Sequence, residues 1–131
     1  MPAQDSCQPQ IVRALEKAGW LVNTKVKAIR SASILAHPDI EAFKDEQLHI
    51  IVEVKCFPGA NRTQELYIAL GQYIVYRELL KTKRPDALLF LAVPHDDPDM
   101  VDPVINTTLE VNHVKMLLVD LAKEEVVEWK A

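Results

Sequence analysis

Three residues near the middle of the chain have the types and spacing of a metal-dependent hydrolytic site. Asp39 follows a proline. After thirteen intervening residues, a strand-like run carries Glu53 and Lys55 among valines and isoleucines. Hard cations such as magnesium and manganese favour carboxylate, carbonyl and water oxygens as ligands. We predict that Asp39 and Glu53 bind Mg²⁺ or Mn²⁺, with the backbone carbonyl of Val54 as a third ligand. Lys55 would then assist an attacking water and stabilise charge that grows on a phosphate.

The same residues also have a purely structural interpretation. At a period of two, Ile50, Val52 and Val54 line one face of the strand, and the other face carries Glu53 and Lys55. Those two could be the solvated side of a half-buried strand, held by a weak ion pair. The strand pattern alone leaves both interpretations open.

The elements before and around these residues predict a hairpin. Residues 8–18 show helical spacing of apolar side chains, and Gly19 stands where a helix C-terminal glycine belongs. Two extended segments follow, at 20–30 and roughly 33–43. The polar residues after them predict a turn into a strand at 49–55.

The longest helix follows a break at Pro58 and Gly59. We predict it over residues 62–82, with Asn61 and Gln64 at the spacing of a capping box. Its apolar surface is too wide for a helix with one buried side. The helix is therefore expected to pack on the sheet and also to meet something else.

The last third of the chain alternates strand and helix. Residues 87–93 are apolar on both alternations, which predicts a central strand covered on both faces. Asp-Pro steps at Asp97 and Asp102 each offer a helix N-cap followed by proline, and the second is expected to open a helix. A buried strand at 114–119 and an edge strand at 126–129 follow. The order of elements predicts an α/β (α+β) domain over the whole chain, with a mixed β-sheet flanked by helices on both faces.

Composition narrows the class of protein. The 131-residue chain has a net charge of −4, whereas a protein that holds DNA tightly by itself usually has a basic excess. Neither a signal peptide nor a membrane span is evident, so no membrane association is expected. Two cysteines are too few for a disulfide framework, which favours a reducing, cytoplasmic location. Cys56 is expected to be a small buried hydrophobe, with a reactive thiol as the alternative.

Pro38-Asp39, thirteen residues and then Glu53-Val54-Lys55 resemble the signature of the PD-(D/E)XK nuclease superfamily. In the helix that follows, Gln72 and Tyr76 reproduce the Q-x-x-x-Y element of the RecB-like branch. At i and i+4 they share one helix face, and the resemblance implies that they shape the site or touch the substrate. The alternative for this pair is a core tyrosine beside a solvated glutamine.

A longer set of segments resembles the XisH family of cyanobacterial proteins. The matching segments are MPAQD at the start, AL and GW within 14–20, VEVKCF at 52–57, ALGQYIVYRELL at 69–80 and LFLAVP at 89–94. The resemblance implies a restriction-endonuclease-like fold and a role in controlling excision of a DNA element, the fdxN element, in nitrogen-fixing heterocysts. It also implies a small companion protein, XisI.

The chain departs from the family pattern at several positions. Cys56 stands where the family commonly has serine, and residues 8–10 read Gln-Pro-Gln where the first helix often carries histidine or acidic residues. Glu41 and Asp45 are rivals of Asp39 for the first acidic position. Without an acidic residue in the first helix, a site with one metal ion is expected rather than two.

These features predict a nuclease-like protein that hydrolyses phosphodiester bonds during DNA rearrangement. Because the chain is acidic, DNA would be contacted through a homo-oligomer or through the companion protein. The rival hypothesis is a non-catalytic accessory protein that keeps the nuclease scaffold and binds an XisI-like partner.

Overall fold

A six-stranded mixed sheet forms the centre of the computed structural model, which describes residues 6–57 and 61–131. The expected break at Pro58 and Gly59 and the first five residues lie outside the described residues. The strands are β1 (Leu21–Asn23), β2 (Ile29–Arg30), β3 (Leu35–Ala36), β4 (Ile40–Lys44), β5 (Leu48–Val54), β6 (Leu88–Pro94), β7 (Met116–Asp120) and β8 (Glu125–Lys130). The sheet has the order β1-β4-β5-β6-β7-β8, and β2 and β3 form a separate antiparallel pair.

The pairing directions make the sheet parallel in the middle and antiparallel at both sides. Strands β5, β6 and β7 run parallel, whereas β1, β4 and β5 pair antiparallel and β8 returns antiparallel along β7. Parallel strands need a crossover between them, and helices supply it. The expected central strand and the expected edge strand are thereby confirmed.

Among the described residues, three α-helices cover the sheet. They are α1 (Gln8–Lys17), α2 (Arg62–Lys83) and α3 (Pro103–Val111). Gly19 has a φ of +95° just beyond α1, as expected for a residue that ends a helix in the left-handed region. No helix within the described residues combines the length and apolarity needed to span a membrane.

Two separate apolar clusters hold the layers together, one on each face of the sheet. Ile50, Val52 and Val54 of β5 pack toward Ile11 and Leu15 of α1. Ile51 of β5 points to the other face, where it packs in a second cluster with α2 and α3. The helix residues of this cluster are Leu66, Ala69, Tyr73, Leu79 and Leu80 from α2 and Leu109 from α3. The expected α/β architecture, a mixed sheet with helices on both faces, is confirmed.

The helix starts were predicted with mixed success. Asp102 caps α3 by accepting hydrogen bonds from the backbone N–H of Val104 at 2.8 Å and of Ile105 at 3.3 Å. Asp97 caps a short 3-10 helix, Pro98–Val101, in the same way. The capping box expected at α2 is wrong, because Asn61 precedes the helix but its side chain makes no capping hydrogen bond.

Candidate active site

The β4–β5 hairpin brings Asp39 and Glu53 side by side. Ile40 pairs with Val52 in the antiparallel register, so Asp39, one residue before β4, lies opposite Glu53. Asp39 Oδ2 accepts a hydrogen bond from the backbone N–H of Val54 at 2.8 Å. A second hydrogen bond joins the carboxyl groups of Asp39 and Glu53. The register therefore fixes two acids at one end of the hairpin.

Glu53 is buried, although it is an acidic residue. Only 9% of it is exposed, and its Oε1 atom has no hydrogen-bond partner. Burial and, secondly, the negative charge of Asp39 raise the pKa of Glu53 to about 8, while the ammonium of Lys55 opposes the rise. Near neutral pH the two acids therefore share a proton. The half-buried strand considered from the sequence is wrong, because β5 is buried on both faces from Ile50 to Val54.

Lys55 follows directly after β5, at the same end of the hairpin. Its backbone N–H donates to the carbonyl of Ala92 in β6 at 2.9 Å, which extends the parallel pairing by one residue. Its side chain projects from the same face as Glu53 because strand residues two apart point the same way. The structure thus brings both predicted carboxylates and the predicted amine into one neighbourhood.

Helix α2 brings Tyr76 to the same place. The pKa of the Tyr76 hydroxyl is raised by burial and then by the negative charges of Glu53 and Asp39, which shows that the phenol lies close to both acids. Gln72 lies one turn earlier on α2 and is exposed to solvent. Tyr76 therefore fits the prediction of a residue at the site, because it borders the carboxylates. Gln72 fits the alternative of a solvated glutamine, because it faces water.

The rival acidic residues lie elsewhere. Glu41 accepts hydrogen bonds from His49 Nε2 at 2.7 Å and from Asn23 Nδ2 at 3.3 Å. Asp45 lies in the turn between β4 and β5, with a φ of +55°. Neither residue reaches the end of the hairpin where Glu53 lies, so the geometry favours Asp39 as the first acid.

Cys7 and Gln8, at the start of α1, make two contacts near the acids that the sequence did not predict. Cys7 and Cys56 form a disulfide bond with a Cα–Cα distance of 5.9 Å, so the expectation of Cys56 as a lone buried hydrophobe is wrong. Gln8 donates from Nε2 to the backbone carbonyl of Asp39 at 3.4 Å. The only signal in the sequence was a cysteine next to Lys55, and its pairing across 49 residues required the tertiary structure.

The donor set fits a hard cation. The carboxyl groups of Asp39 and Glu53 share a proton, and the Oε1 atom of Glu53 is buried without a hydrogen-bond partner. A hard cation that replaced the proton would find negative charge and a ligand oxygen here. In the parts of the chain that the structure describes, no group of three or more His, Cys, Asp or Glu side chains is arranged for a metal ion. Further ligands would therefore be backbone oxygens and water.

Comparison with known proteins identifies the family. The XisH family model matches residues 1–127. An XisH family protein from Nostoc punctiforme PCC 73102, known from a crystal structure, is 30% identical in sequence to this chain. The two structures match with a TM-score of 0.85 over 94% of this chain and 97% of that one. An fdxN element excision controlling factor protein from Anabaena variabilis is 32% identical, with a TM-score of 0.85 over 96% and 98%. No curated protein sequence is significantly similar to the chain. With a match along nearly its entire length and relatives that share its fold, the chain belongs to the XisH family.

Proposed function

We propose that this chain is a metal-dependent, nuclease-like protein that takes part in excision of a DNA element. The name of its relative from Anabaena variabilis, an fdxN element excision controlling factor, supports that setting. The reaction is phosphodiester hydrolysis during a site-specific DNA rearrangement. Heterocysts of nitrogen-fixing cyanobacteria are the proposed setting of this rearrangement.

The single observation that carries the proposal is the state of Glu53. A buried acid beside a second acid is an unfavourable arrangement unless a proton or a cation lies between them. Its raised pKa and its unsatisfied Oε1 atom are both consequences of that arrangement. A purely structural role would be served as well by an apolar residue, so the acid pair supports a cation site.

The residues that would hold Mg²⁺ or Mn²⁺ are Asp39, Glu53 and Val54. The N–H of Val54 is directed at Asp39. A strand residue directs its N–H and C=O toward the same neighbouring strand, so the carbonyl of Val54 is the available backbone ligand. When bound, the ion supplies Lewis acidity toward a phosphate oxygen.

The remaining residues act around the acid pair. Lys55 places a positive charge beside Glu53, where it orients the attacking water and offsets charge that develops on the phosphate. Tyr76, which lies near both acids, would limit the access of bulk water to them, and exposed Gln72 would contact the sugar-phosphate chain.

The acidic chain requires help to hold DNA. A net charge of −4 opposes binding to a polyanion, so the phosphate contacts are shared with another subunit or with an XisI-like companion. The proposed reaction is therefore expected from an assembly rather than from an isolated chain.

Calorimetric titration with Mn²⁺ tests the cation site directly. Glu53→Gln keeps the shape of the side chain but removes its charge, and we expect it to weaken Mn²⁺ binding by about a hundredfold or more. Glu41→Gln is the matched control, because Glu41 lies on the same hairpin and already has His49 as its partner. Equal binding by the wild type and Glu53→Gln would contradict the site.

A cleavage assay in Mg²⁺, with the companion protein present, tests the chemistry separately. Lys55→Ala is expected to retain Mn²⁺ binding and to abolish cleavage, since it removes the group that acts on the water and the phosphate. Circular dichroism establishes that the variant is folded. Undiminished cleavage by Lys55→Ala and Glu53→Ala would rule out the proposed roles.

One observation favours a second function, that of a non-catalytic accessory protein. Only a pair of acids, rather than a group of three or more ligating side chains, stands at the site among the described residues. A scaffold protein of this kind would bind an XisI-like partner and show no Mn²⁺ affinity that depends on Glu53. The calorimetric comparison above separates the two functions.

A further inference from the structure

The disulfide bond between Cys7 and Cys56 lies at the edge of the candidate site. Cys56 follows directly after Lys55, and Cys7 is the N-cap residue of α1. The bond therefore joins the start of α1 to the chain that leaves β5 beside Glu53. The sequence has only these two cysteines, so no other thiol of this chain can exchange with them.

Gln8, the next residue of α1, holds the segment that carries the other acid. Its Nε2 atom donates to the backbone carbonyl of Asp39 at 3.4 Å, and only 5% of Gln8 is exposed. We call this hydrogen bond and the Cys7–Cys56 bond the clamp, of which the disulfide is the covalent part. The clamp holds the chain at Asp39 and just after Glu53, and it opposes the repulsion between two neighbouring acids that are both charged.

The two sulfur atoms of the disulfide differ in their access to solvent. Cys7 is buried, with 4% of the residue exposed, whereas Cys56 is half-buried. A thiolate that reduces a disulfide must reach one of its sulfur atoms, and the other sulfur leaves as a thiolate. Attack at Cys56 makes Cys7 the leaving sulfur, at the N-terminus of α1, where the helix dipole stabilises negative charge. Access and leaving group therefore favour the same direction of attack.

We propose that Cys56 is a thiol–disulfide exchange site and that this exchange controls how tightly the acid pair binds its cation. The effect on the cation rests on the function proposed above. The exchange needs a co-reactant, which is a dithiol that supplies two electrons.

The exchange has two steps. One thiolate of the dithiol forms a bond to Cys56 Sγ, the Cys7–Cys56 bond breaks, and Cys7 Sγ leaves with the electron pair and takes up a proton. The second thiolate of the dithiol then attacks the sulfur of its own molecule that is bonded to Cys56. Cys56 Sγ leaves and takes up a proton, and the dithiol has become a disulfide. The backbone N–H of Cys7, which donates to Cys56 Sγ at 3.0 Å, stabilises this second leaving thiolate.

Reduction removes the covalent part of the clamp. Its remaining contact is the 3.4 Å hydrogen bond from Gln8. The repulsion between Asp39 and Glu53 is then opposed less, and the spacing that suits one cation is kept less often. The disulfide form therefore binds the cation more tightly than the dithiol form. Because coupling between two sites is reciprocal, a bound cation protects the disulfide by the same factor.

Reaction with glutathione in the absence of metal tests the exchange site by itself. The disulfide form is incubated briefly with reduced glutathione and quenched in acid, and peptide mapping by mass spectrometry locates the mixed disulfide. We expect glutathione on Cys56 in about tenfold excess or more over Cys7, because Cys7 is the buried sulfur. Equal labelling, or an excess on Cys7, would overturn this assignment whether or not the chain binds a cation.

Calorimetric titration with Mn²⁺ tests the coupling to the acid pair. The dithiol form, prepared with dithiothreitol and freed of it under nitrogen, is expected to bind Mn²⁺ about tenfold more weakly than the disulfide form, since it lacks an outer support of the site. Cys7→Ala with Cys56→Ala should match the dithiol form. Leu109→Ala is the control, because it leaves a cavity under α3 and destabilises the fold without touching the clamp, and it should bind Mn²⁺ as the wild type does.

The calorimetric outcomes separate this coupling from the proposed function. Equal Mn²⁺ affinities of the disulfide and dithiol forms would overturn the coupling and leave the cation site standing. No Mn²⁺ binding by either form would reject the cation site and the coupling together, and the glutathione reaction would still decide the exchange site.

A redox titration in glutathione buffers gives the reciprocal measurement. Saturating Mn²⁺ is expected to shift the equilibrium toward the disulfide about tenfold, which is about 30 mV for a two-electron couple. Glu53→Gln keeps both cysteines but weakens the cation site, so Mn²⁺ should not move its equilibrium. An equal shift in the wild type and Glu53→Gln, or no shift in the wild type, would contradict the coupling.

Discussion

Two carboxylate-containing pairs lie on the β4–β5 hairpin, and they differ in what completes them. Glu41 is paired with His49 at 2.7 Å and is supported by Asn23, so its charge has partners within the chain. Glu53 is paired with another acid, Asp39, and its Oε1 atom has no hydrogen-bond partner. The first pair is complete without a ligand, whereas the second is complete only with a proton or a cation.

A structural acid and a candidate functional acid differ here in the neighbour of the carboxyl group. Glu41 lies on β4 and Glu53 on the neighbouring strand β5, and both side chains project toward the α2 side of the sheet. Burial alone does not distinguish them sharply, because the side chains of Glu41 and His49 are only 18% and 20% exposed. The identity of the neighbour decides, since an imidazole stabilises a carboxylate and a second carboxylate does not.

The disulfide at the Glu53 end gives the largest expected change in stability. Cys7→Ala with Cys56→Ala removes a cross-link between residues 49 apart in sequence, and chain entropy predicts a loss of about 4 kcal/mol in the free energy of unfolding. Urea unfolding with and without reductant measures this loss. Reduced wild type should match the double variant, and identical midpoints in all samples would contradict the prediction.

The acid pair gives the next largest change, and its sign depends on pH. The pKa of Glu53 is about 8 in the folded chain against an ordinary 4.5, so the folded state binds more protons between these values. The free energy of unfolding therefore falls as pH rises from about 4.5 to 8. With chelator present, Glu53→Gln should be more stable than wild type at pH 8.5, by on the order of 3 kcal/mol, and should lose this advantage at pH 5.

Thermal unfolding at several pH values measures this difference. Asp39→Asn offers a second test, because removing the neighbouring negative charge should lower the pKa of Glu53 toward its ordinary range. A Glu53→Gln variant that is no more stable than wild type at pH 8.5 would show that the acids are not coupled as described.

The Glu41–His49 pair gives the smallest change. Glu41→Gln keeps a hydrogen-bond acceptor for His49 and loses only the charge, so a cost of about 1 kcal/mol or less is expected. Urea unfolding at neutral pH, beside Glu53→Gln, provides the measurement. A loss of unfolding free energy as large as that caused by removing the disulfide would contradict this prediction. It would mean that the fold depends more on the Glu41–His49 pair than on the Asp39–Glu53 pair.

The sequence predicted most of the fold because the signals for it are local. Helical spacing in residues 8–18 and the glycine that follows predicted α1, and the second Asp-Pro step predicted the start of α3 at the correct residue. The doubly apolar run at 87–93 predicted a central strand. The capping box at Asn61 failed because residue type and spacing do not establish the side-chain geometry that a cap requires.

The candidate site was only partly predictable. The acids, the lysine and Tyr76 were identified from the sequence, and the structure brings them together at the end of the hairpin. The choice of Asp39 over Glu41 and Asp45 needed the pairing of Ile40 with Val52. A shift of one residue would have turned every side chain of β4 to the opposite face.

The sequence by itself determined the types and order of the elements, because periodicity, caps and glycine act between residues near each other in the chain. Only the tertiary structure decided that Glu53 is buried beside a second acid, that Cys7 meets Cys56, and that Tyr67 and Ile68 of α2 stay exposed. Each of these depends on which strands and helices become neighbours. That choice is made by contacts between residues far apart in sequence, which no local pattern records.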